Sequence, residues 1–318
     1  MKNTLGPTIG VFDSGFGGLT VLRALISRLP HAHYAFLGDT ARLPYGSKSR
    51  RTIARYATES ARFLVQEQGA EFLVIACNTA SALALDAIQD AVSVPVLGVI
   101  EPGAAAARAA SRTGDVLVIA TDATVRSGAY TAACKAHGLR AIEKACPLLV
   151  PLVEEGWIGP SVLPGAAAVL DAPQASTAPP QVAVTDRVIR IYLGELRAQA
   201  AAEGLHPDTL VLGCTHYPLL RPLIEPAVSA GVHVIDSAES TAESATHLIN
   251  GHANLKEDAI DVALVRVGIE DLDPDRESAG NNTEIRCFAT DSVDKFERLG
   301  SRFLGRSVGE VQLIDLGG

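Results

Sequence analysis

The strongest constraint on the fold is an alternation of short strand-like runs with segments of helical period. Seven runs rich in aliphatic residues have the composition of fully buried strands, at 8–12, 35–38, 72–76, 94–100, 116–120, 210–213 and 232–236. Apolar residues between them recur at helical spacing, as in 19–29, 53–64 and 184–192. Strands buried on both faces that alternate with helices are typical of parallel sheets covered by helices. The sequence therefore predicts an α/β fold.

Two segments depart from this alternation. Residues 158–180 are rich in proline and alanine with weak periodicity, which predicts a loop or helix-loop insertion. Residues 253–284 carry many charges and end in DLDPDRESAGNN, which predicts an exposed loop. After it, the runs 285–289, 295–304 and 308–316 predict a strand, a helix and a strand.

Composition and charge narrow the class of protein. The 318 residues carry a net charge of −9 without any tract dense in lysine or arginine, which disfavours a nucleic-acid partner. The first residues lack the apolar core of a signal peptide, and no apolar run approaches the roughly 20 residues of a membrane span. Five scattered cysteines without a CxxC pair are typical of a reducing compartment. We expect a soluble cytoplasmic protein that neither binds nucleic acid nor enters a membrane.

Two cysteines share one local frame. In LVIACNT and LVLGCTH, three aliphatic residues precede a small residue, then Cys77 or Cys214, then polar residues and a helical pattern. Ligands of parallel sheets bind beyond the carboxyl ends of strands, where a helix N-terminus also favours a thiolate. A single strand-end cysteine is more often a packing residue, but the repeated frame favours function. Cys134, Cys146 and Cys287 lack this frame and are expected to be inert.

The turn DSGFGG follows the first strand. It matches neither the dinucleotide fingerprint nor a P-loop, so its free amides suit a small anion such as a carboxylate. The alternative is that Asp13 or Ser14 merely caps the following helix. A second turn contains Pro44, Tyr45 and Gly46, and the spacing alone does not indicate whether it contacts a ligand.

Two cysteines of this kind fit one chemistry. Removing an α-proton from one face of a carbon and returning a proton to the other requires two acid–base groups on opposite sides. One group must be a thiolate while the other is a thiol. Asp13 on the first side and His216 on the second are candidates for tuning the two cysteines.

At these residues the chain resembles the glutamate racemase family, within the cofactor-independent aspartate/glutamate racemase superfamily. DSGFGG, ACNTAS and GCTHYP carry the resemblance jointly. The matching segments are 10–22, 36–49, 72–82, 95–103, 116–130, 146–156, 210–220 and 234–242. Aspartate racemases resemble the chain less, because their second cysteine is typically followed by Thr-Glu instead of Thr215-His216.

The resemblance implies interconversion of L- and D-glutamate, with D-glutamate supplied to peptidoglycan, without pyridoxal phosphate or metal. It implies that Cys77 is the base for D-glutamate and Cys214 the base for L-glutamate, assisted by Asp13 and His216. A further functional glutamate falls on Glu154, with Glu155 as the alternative. The substrate contacts that it implies are Asp13, Ser14, Tyr45, Gly46, Asn78, Thr79, Thr121 (or Thr124), Thr215 and His216.

The resemblance also implies an architecture. It predicts a homodimer whose subunits each have two similar α/β lobes, with the active site in the cleft between them. The first lobe is expected to comprise residues 1–100 and 211–318, and the second residues 101–210.

Two other functions fit parts of the same pattern. A zinc site built from Cys77, Cys214, His216 and Asp13 uses suitable ligand types, although their dispersal along the chain is weak support. A non-catalytic two-lobed protein that holds an amino acid at the helix N-termini is the second alternative. The first predicts stoichiometric zinc, and the second predicts function without either cysteine.

Overall fold

The computed structural model describes residues 6–158, 180–260 and 283–317. Its strands form two wholly parallel sheets, of six and four strands. The strands are β1 (Thr8–Asp13), β2 (His33–Gly38), β3 (Phe72–Ile75), β4 (Val96–Gly98), β5 (Asp115–Ala120), β6 (Arg140–Ala145), β7 (Thr209–Gly213), β8 (His233–Asp236), β9 (Ile285–Ala289) and β10 (Val311–Leu313). The predicted α/β fold with parallel sheets is therefore confirmed.

Helices connect these strands. They are α1 (Leu19–Arg28), α2 (Arg50–Arg62), α3 (Asn78–Leu83), α4 (Leu85–Ala91), α5 (Ile100–Ala110), α6 (Asp122–Ser127), α7 (Ala129–Ala136), α8 (Leu149–Glu154), α9 (Pro180–Ala202), α10 (Arg221–Ile224), α11 (Ser237–Ile260) and α12 (Val293–Leu304). Within the described ranges, none of these helices is long and apolar enough to cross a membrane.

All seven strands of the initial pattern are present, with differences at their ends. The run 94–100 forms a strand only at Val96–Gly98, because Ile100 already begins α5. Strand β6 was not predicted. Its sequence RAIEKA lies at an edge of the smaller sheet, and Ile142 is its one buried residue, so it lacks a buried strand's apolar run.

The structure describes only parts of the two predicted insertions. Residues 159–179 of the proline- and alanine-rich segment lie outside the described residues. The predicted charged loop begins too early at 253, because α11 continues to Ile260. Its remainder, 261–282, lies outside the described residues.

The larger sheet has the order β10-β9-β2-β1-β3-β4, and the smaller has the order β6-β5-β7-β8. The smaller sheet thus gathers strands between Asp115 and Asp236. Strand β8 lies in it beside β7, although the sequence assigned residues after 210 to the first lobe. The remaining lobe boundaries stay a prediction.

The hydrophobic core continues from one sheet to the other. Ile9 and Val11 of β1 pack in the same cluster as Val118 of β5 and Val211 of β7. On the opposite face of β1, Phe12 belongs to a second cluster with residues of α2. One shared core therefore fixes the carboxyl ends of β1 and β3 relative to those of β5 and β7.

Candidate active site

The two cysteines of the repeated frame lie at equivalent positions in different sheets. Cys77 lies two residues beyond the end of β3 and is the N-cap of α3, and Cys214 directly follows β7. Both are 5% exposed. The neighbouring strands end in polar residues, with Asp13 closing β1 and Thr121 following β5. The sequence frame therefore corresponds to a structural repeat.

The turn after β1 links the two cysteine regions. Asp13 accepts a hydrogen bond from the Gly15 amide at 2.9 Å. Helix α1 has Gly18 as its N-cap, without a side-chain capping bond, so neither Asp13 nor Ser14 caps it as the alternative interpretation proposed. The Thr20 hydroxyl donates to the Thr215 carbonyl oxygen at 3.1 Å.

Gly17 makes this link possible. A Cβ atom at this position would lie 2.2 Å from the Thr215 hydroxyl oxygen and 2.5 Å from His216 Nδ1. Only glycine allows the turn to approach the second cysteine region so closely.

On the first side, the Cys77 thiol donates to the Ser14 hydroxyl at 3.3 Å and accepts from the Ala80 amide at 3.4 Å. Burial, aided by the charge of Asp13, raises the pKa of Cys77 to about 12. The expectation that the helix N-terminus lowers this pKa is wrong for Cys77. The Ala80 amide, and the Ser14 hydroxyl when it donates to a thiolate, favour ionisation but do not offset desolvation. Cys77 is a thiol at neutral pH.

Asp13 shares this environment. Burial raises the pKa of Asp13, against the charge of His216 and the turn amides, which lower it. Among the described residues, its Oδ1 has no hydrogen-bond partner and is buried. Asp13 therefore presents a free acceptor beside Cys77.

On the second side, three residues form a chain of polar contacts that begins at Cys214. Its Sγ lies 4.0 Å from His216 Nδ1, and His216 Nε2 lies 3.2 Å from Glu154 Oε1. Burial alone would favour the neutral imidazole, but hydrogen bonds and charges from Cys214 and Glu154 raise the pKa of His216 to about 10. His216 is an imidazolium at neutral pH.

Glu154 continues the chain toward the surface. Its burial would raise its pKa, but the hydrogen bond to His216 and the charge of Lys295 hold the pKa of Glu154 below its usual value. Lys295 of α12 lies 3.4 Å away. Glu155, the alternative functional glutamate, is exposed. The structure thus brings Glu154, and not Glu155, to His216.

Hydroxyl groups join the two sheets near Cys77. The hydroxyl oxygens of Thr79 and Thr121 lie 3.0 Å apart, and that of Thr124 lies 2.9 Å from Thr121 and 3.4 Å from Thr79. Thr121 and Thr124, which the sequence left as alternatives, therefore both belong to this group. Asn78 accepts a hydrogen bond from the Tyr130 hydroxyl at 2.7 Å, and its Nδ2 is buried without a partner in the described part of the chain.

The loop containing Tyr45 and Gly46 lies against the same region. Gly46 approaches the Thr121 side chain, which is 4.0 Å from an ideal Cβ at that glycine. The Tyr45 side chain instead points inward, where it is buried and donates to Asp39. Asp39 also accepts from Arg42 and Thr290. The Tyr45 hydroxyl is therefore engaged by Asp39, and a ligand contact from Tyr45 stays a prediction.

The other cysteines are buried as well. Cys146 directly follows the unpredicted β6, so it too is at a strand end, which the sequence did not indicate. Burial raises the pKa of Cys146 and of Cys287 to about 12 and that of Cys134 to about 11. Their predicted inertness stays a prediction.

The ligand set of the zinc alternative is not assembled. Within 6–158, 180–260 and 283–317, no group of three or more histidine, cysteine, aspartate or glutamate residues has the arrangement of a metal site.

Three site residues were not predicted. Each of them contacts a predicted site residue: Lys295 contacts Glu154, 141 positions away, Tyr130 contacts Asn78, 52 positions away, and Asp39 contacts Tyr45, 6 positions away. The only sequence signals near them are that Tyr130 closes the VLVIATDATVRSGAY segment and that Asp39 opens the loop leading to Tyr45. No local pattern indicates Lys295.

Comparisons with known proteins show which families and structures this chain resembles. A family model described as Asp/Glu/Hydantoin racemase matches residues 10–156. A glutamate racemase from Koribacter versatilis is 48% identical over 98% of both chains.

Solved structures agree. A glutamate racemase isoform from Bacillus anthracis superimposes with a TM-score of 0.74 at 32% identity, covering 98% of both chains. The glutamate racemase from Francisella tularensis, in a complex with D-glutamate, gives a TM-score of 0.72 at 30% identity and the same coverage.

Proposed function

The chain belongs to the glutamate racemase family, and from this premise we propose that it interconverts L- and D-glutamate by a two-base mechanism. Cys77 and Cys214 act on opposite faces of the α-carbon. The observation that carries the proposal is that two buried cysteines lie at corresponding strand ends, Cys77 with the acidic neighbour Asp13 and Cys214 with the basic neighbour His216.

The two cysteines have neighbours of opposite charge type. Cys77 is a thiol, because its pKa is raised to about 12 by burial. His216 is an imidazolium whose Nδ1 lies 4.0 Å from Cys214 Sγ, so the second cysteine has a cationic neighbour. We propose that this pairing makes Cys214 the base for L-glutamate.

Each turnover exchanges the protonation states of the two cysteines. The Cys214 thiolate removes the α-proton of L-glutamate, and the Cys77 thiol donates its proton to the opposite face of the carbanion. D-glutamate leaves Cys214 as a thiol and Cys77 as a thiolate, which is the state that accepts D-glutamate. A further turnover of L-glutamate requires one proton to move from Cys214 to Cys77, through solvent or through His216 and Asp13.

Neutral donors and one acceptor are available for the substrate. The unpartnered Asn78 Nδ2 and the hydroxyls of Ser14, Thr79, Thr121 and Thr215 can donate to carboxylates. The free Oδ1 of Asp13 can accept from the ammonium group. Because no cofactor is required in this scheme to delocalise the carbanion, the barrier is lowered by positioning and by fixed dipoles.

Exchange of the α-proton for solvent deuterium by single variants tests the assignment of each base. Cys77→Ser retains Cys214, the proposed base for L-glutamate. We therefore expect this variant to lose racemisation but still exchange the α-proton of L-glutamate in deuterated water. Cys214→Ser should exchange only D-glutamate. Near-wild-type racemisation by either variant would refute the two-base assignment, and intact glutamate binding without wild-type turnover would favour the binding-protein alternative.

We also propose a cytoplasmic homodimer that supplies D-glutamate for peptidoglycan. Support for the dimer comes from Val184 and Ile191, which are exposed about two helical turns apart on α9, and from exposed Trp157 and Leu148 nearby. Light scattering on wild type and Ile191→Lys tests it, since a monomeric wild type contradicts it. The biosynthetic role is tested by expressing this chain in a bacterium that requires added D-glutamate and measuring growth without that supplement.

A further inference from the structure

Tyr130 connects the two cysteine regions without belonging to either. It lies near the start of α7 and is completely buried. Its hydroxyl donates at 2.7 Å to Oδ1 of Asn78, the residue directly after Cys77. Its ring lies against Gly213, directly before Cys214, where an added Cβ would be 2.9 Å from the ring. One side chain therefore contacts a chain neighbour of each cysteine.

This hydrogen bond decides what the Asn78 amide offers to the site. An amide has one acceptor oxygen and one nitrogen with two donors. Tyr130 occupies the oxygen, so the nitrogen is the group left over. That nitrogen is buried and has no partner among the residues described, although Asn78 is only 3% exposed. A buried donor of this kind calls for an acceptor from a ligand.

We propose that Tyr130 is a positioning residue that locks the Asn78 amide with its nitrogen toward the substrate, so that this position favours a carboxylate over a carboxamide. The proposal rests on the proposed glutamate racemisation. A carboxylate accepts from the nitrogen with both oxygens, whereas a carboxamide can do so with only one.

Loss of the phenol hydroxyl frees the amide to turn. In Tyr130→Phe the ring still fills the space against Gly213, but Asn78 Oδ1 loses its donor. The amide can then present its oxygen to the site, which repels a carboxylate and accepts a hydrogen bond from a carboxamide. The variant therefore changes which ligands bind well, and it does not remove a group that carries protons to or from the cysteines.

The measurement is the KM and kcat of glutamate together with the inhibition constants of L-glutamine and the α-amide of L-glutamate. For Tyr130→Phe we expect the glutamate KM to rise about tenfold, the cost of one charge-assisted hydrogen bond. We expect kcat to stay within about twofold, since both cysteines are retained. The inhibition constant of at least one amide should stay unchanged or fall.

Tyr34→Phe is the matched control. Tyr34 lies near the start of β2, away from Cys77 and Cys214, and is also fully buried. Its hydroxyl donates to the Leu29 carbonyl oxygen at 2.9 Å. Its kinetics should match wild type. A general loosening of the core would instead weaken glutamate and both amides alike in Tyr130→Phe.

A second variant keeps the test decisive if Tyr130→Phe is less stable. In an Asn78→Ala background the amide is gone, so Tyr130→Phe should have no further effect on the ratio of glutamate to amide binding. An equal effect in both backgrounds, or an unchanged glutamate KM in the single variant, overturns the inference. Absence of turnover in wild type overturns the proposed function itself.

Discussion

Replacing Glu154 with glutamine tests how the site keeps His216 charged. The Glu154 carboxylate lies 3.2 Å from His216 Nε2, and the two side chains are only 18% and 10% exposed. Glutamine preserves the shape and one acceptor but removes the charge. The imidazole also has as neighbours Cys214, the Thr215 hydroxyl at 3.5 Å from Nδ1, Asp13, and the Phe303 ring at 5.0 Å between centroids.

The magnitude follows from the geometry. A hydrogen bond to a charged partner contributes about 1.5–3 kcal/mol, and each pKa unit corresponds to about 1.36 kcal/mol. The low exposure of both groups leaves little screening by solvent. We therefore expect E154Q to lower the pKa of His216 from about 10 by about one to two units.

The assay is a pH titration of the histidine ring resonances by NMR, with the His216 signal assigned by its absence in His216→Asn. In wild type this signal should stay in its imidazolium position up to pH about 9. In E154Q it should titrate below that, and racemisation should fall in the same range.

Glu155→Gln is the control, because Glu155 is exposed and its removal should leave the titration unchanged. A His216 signal that titrates near the ordinary histidine value in wild type would refute the reasoning. A titration that E154Q leaves unchanged would do so as well.

Other changes test further contacts. K295M removes the positive charge that lies 3.4 Å from Glu154. The pKa of His216, measured by NMR titration, should therefore rise, whereas E154Q should lower it. A fall in the pKa of His216 in K295M would contradict the contacts described for Lys295, Glu154 and His216. Gly17→Ala places a methyl group 2.5 Å from His216 Nδ1 and should reduce kcat strongly, whereas Gly194→Ala, with open space around it, should not. Equal activities would contradict the close approach. Chelation should leave turnover unchanged, and stoichiometric zinc lost together with activity would support the zinc alternative.

The parts that the sequence predicts are those with a local signal. Strands β1, β3, β5 and β7 are nearly continuous apolar runs, as expected for strands buried on both faces. The cysteines could be identified because the same frame precedes both of them. Strand β6 gave no such signal, because at the sheet edge it carries Arg140, Glu143 and Lys144.

What the sequence did not predict depends on distant contacts. The high pKa of Cys77 arises from burial and from Asp13, 64 positions earlier, and no local rule for helix N-termini contains that desolvation. Tyr130 and Lys295 reach the site only through tertiary packing. The end of the smaller sheet at β8 likewise depends on strand pairing, since nothing in the sequence of residues 233–236 distinguishes the two sheets.

The central claim is that two different groups handle the proton on the two faces of the substrate. Each enantiomer of glutamate is incubated with wild type in deuterated water, and deuterium in product and in recovered substrate is measured at early times. Two bases predict product that carries solvent deuterium while recovered substrate is labelled much less, for both enantiomers. Equal early labelling of substrate and product would indicate one shared base and contradict the assignment of Cys77 and Cys214.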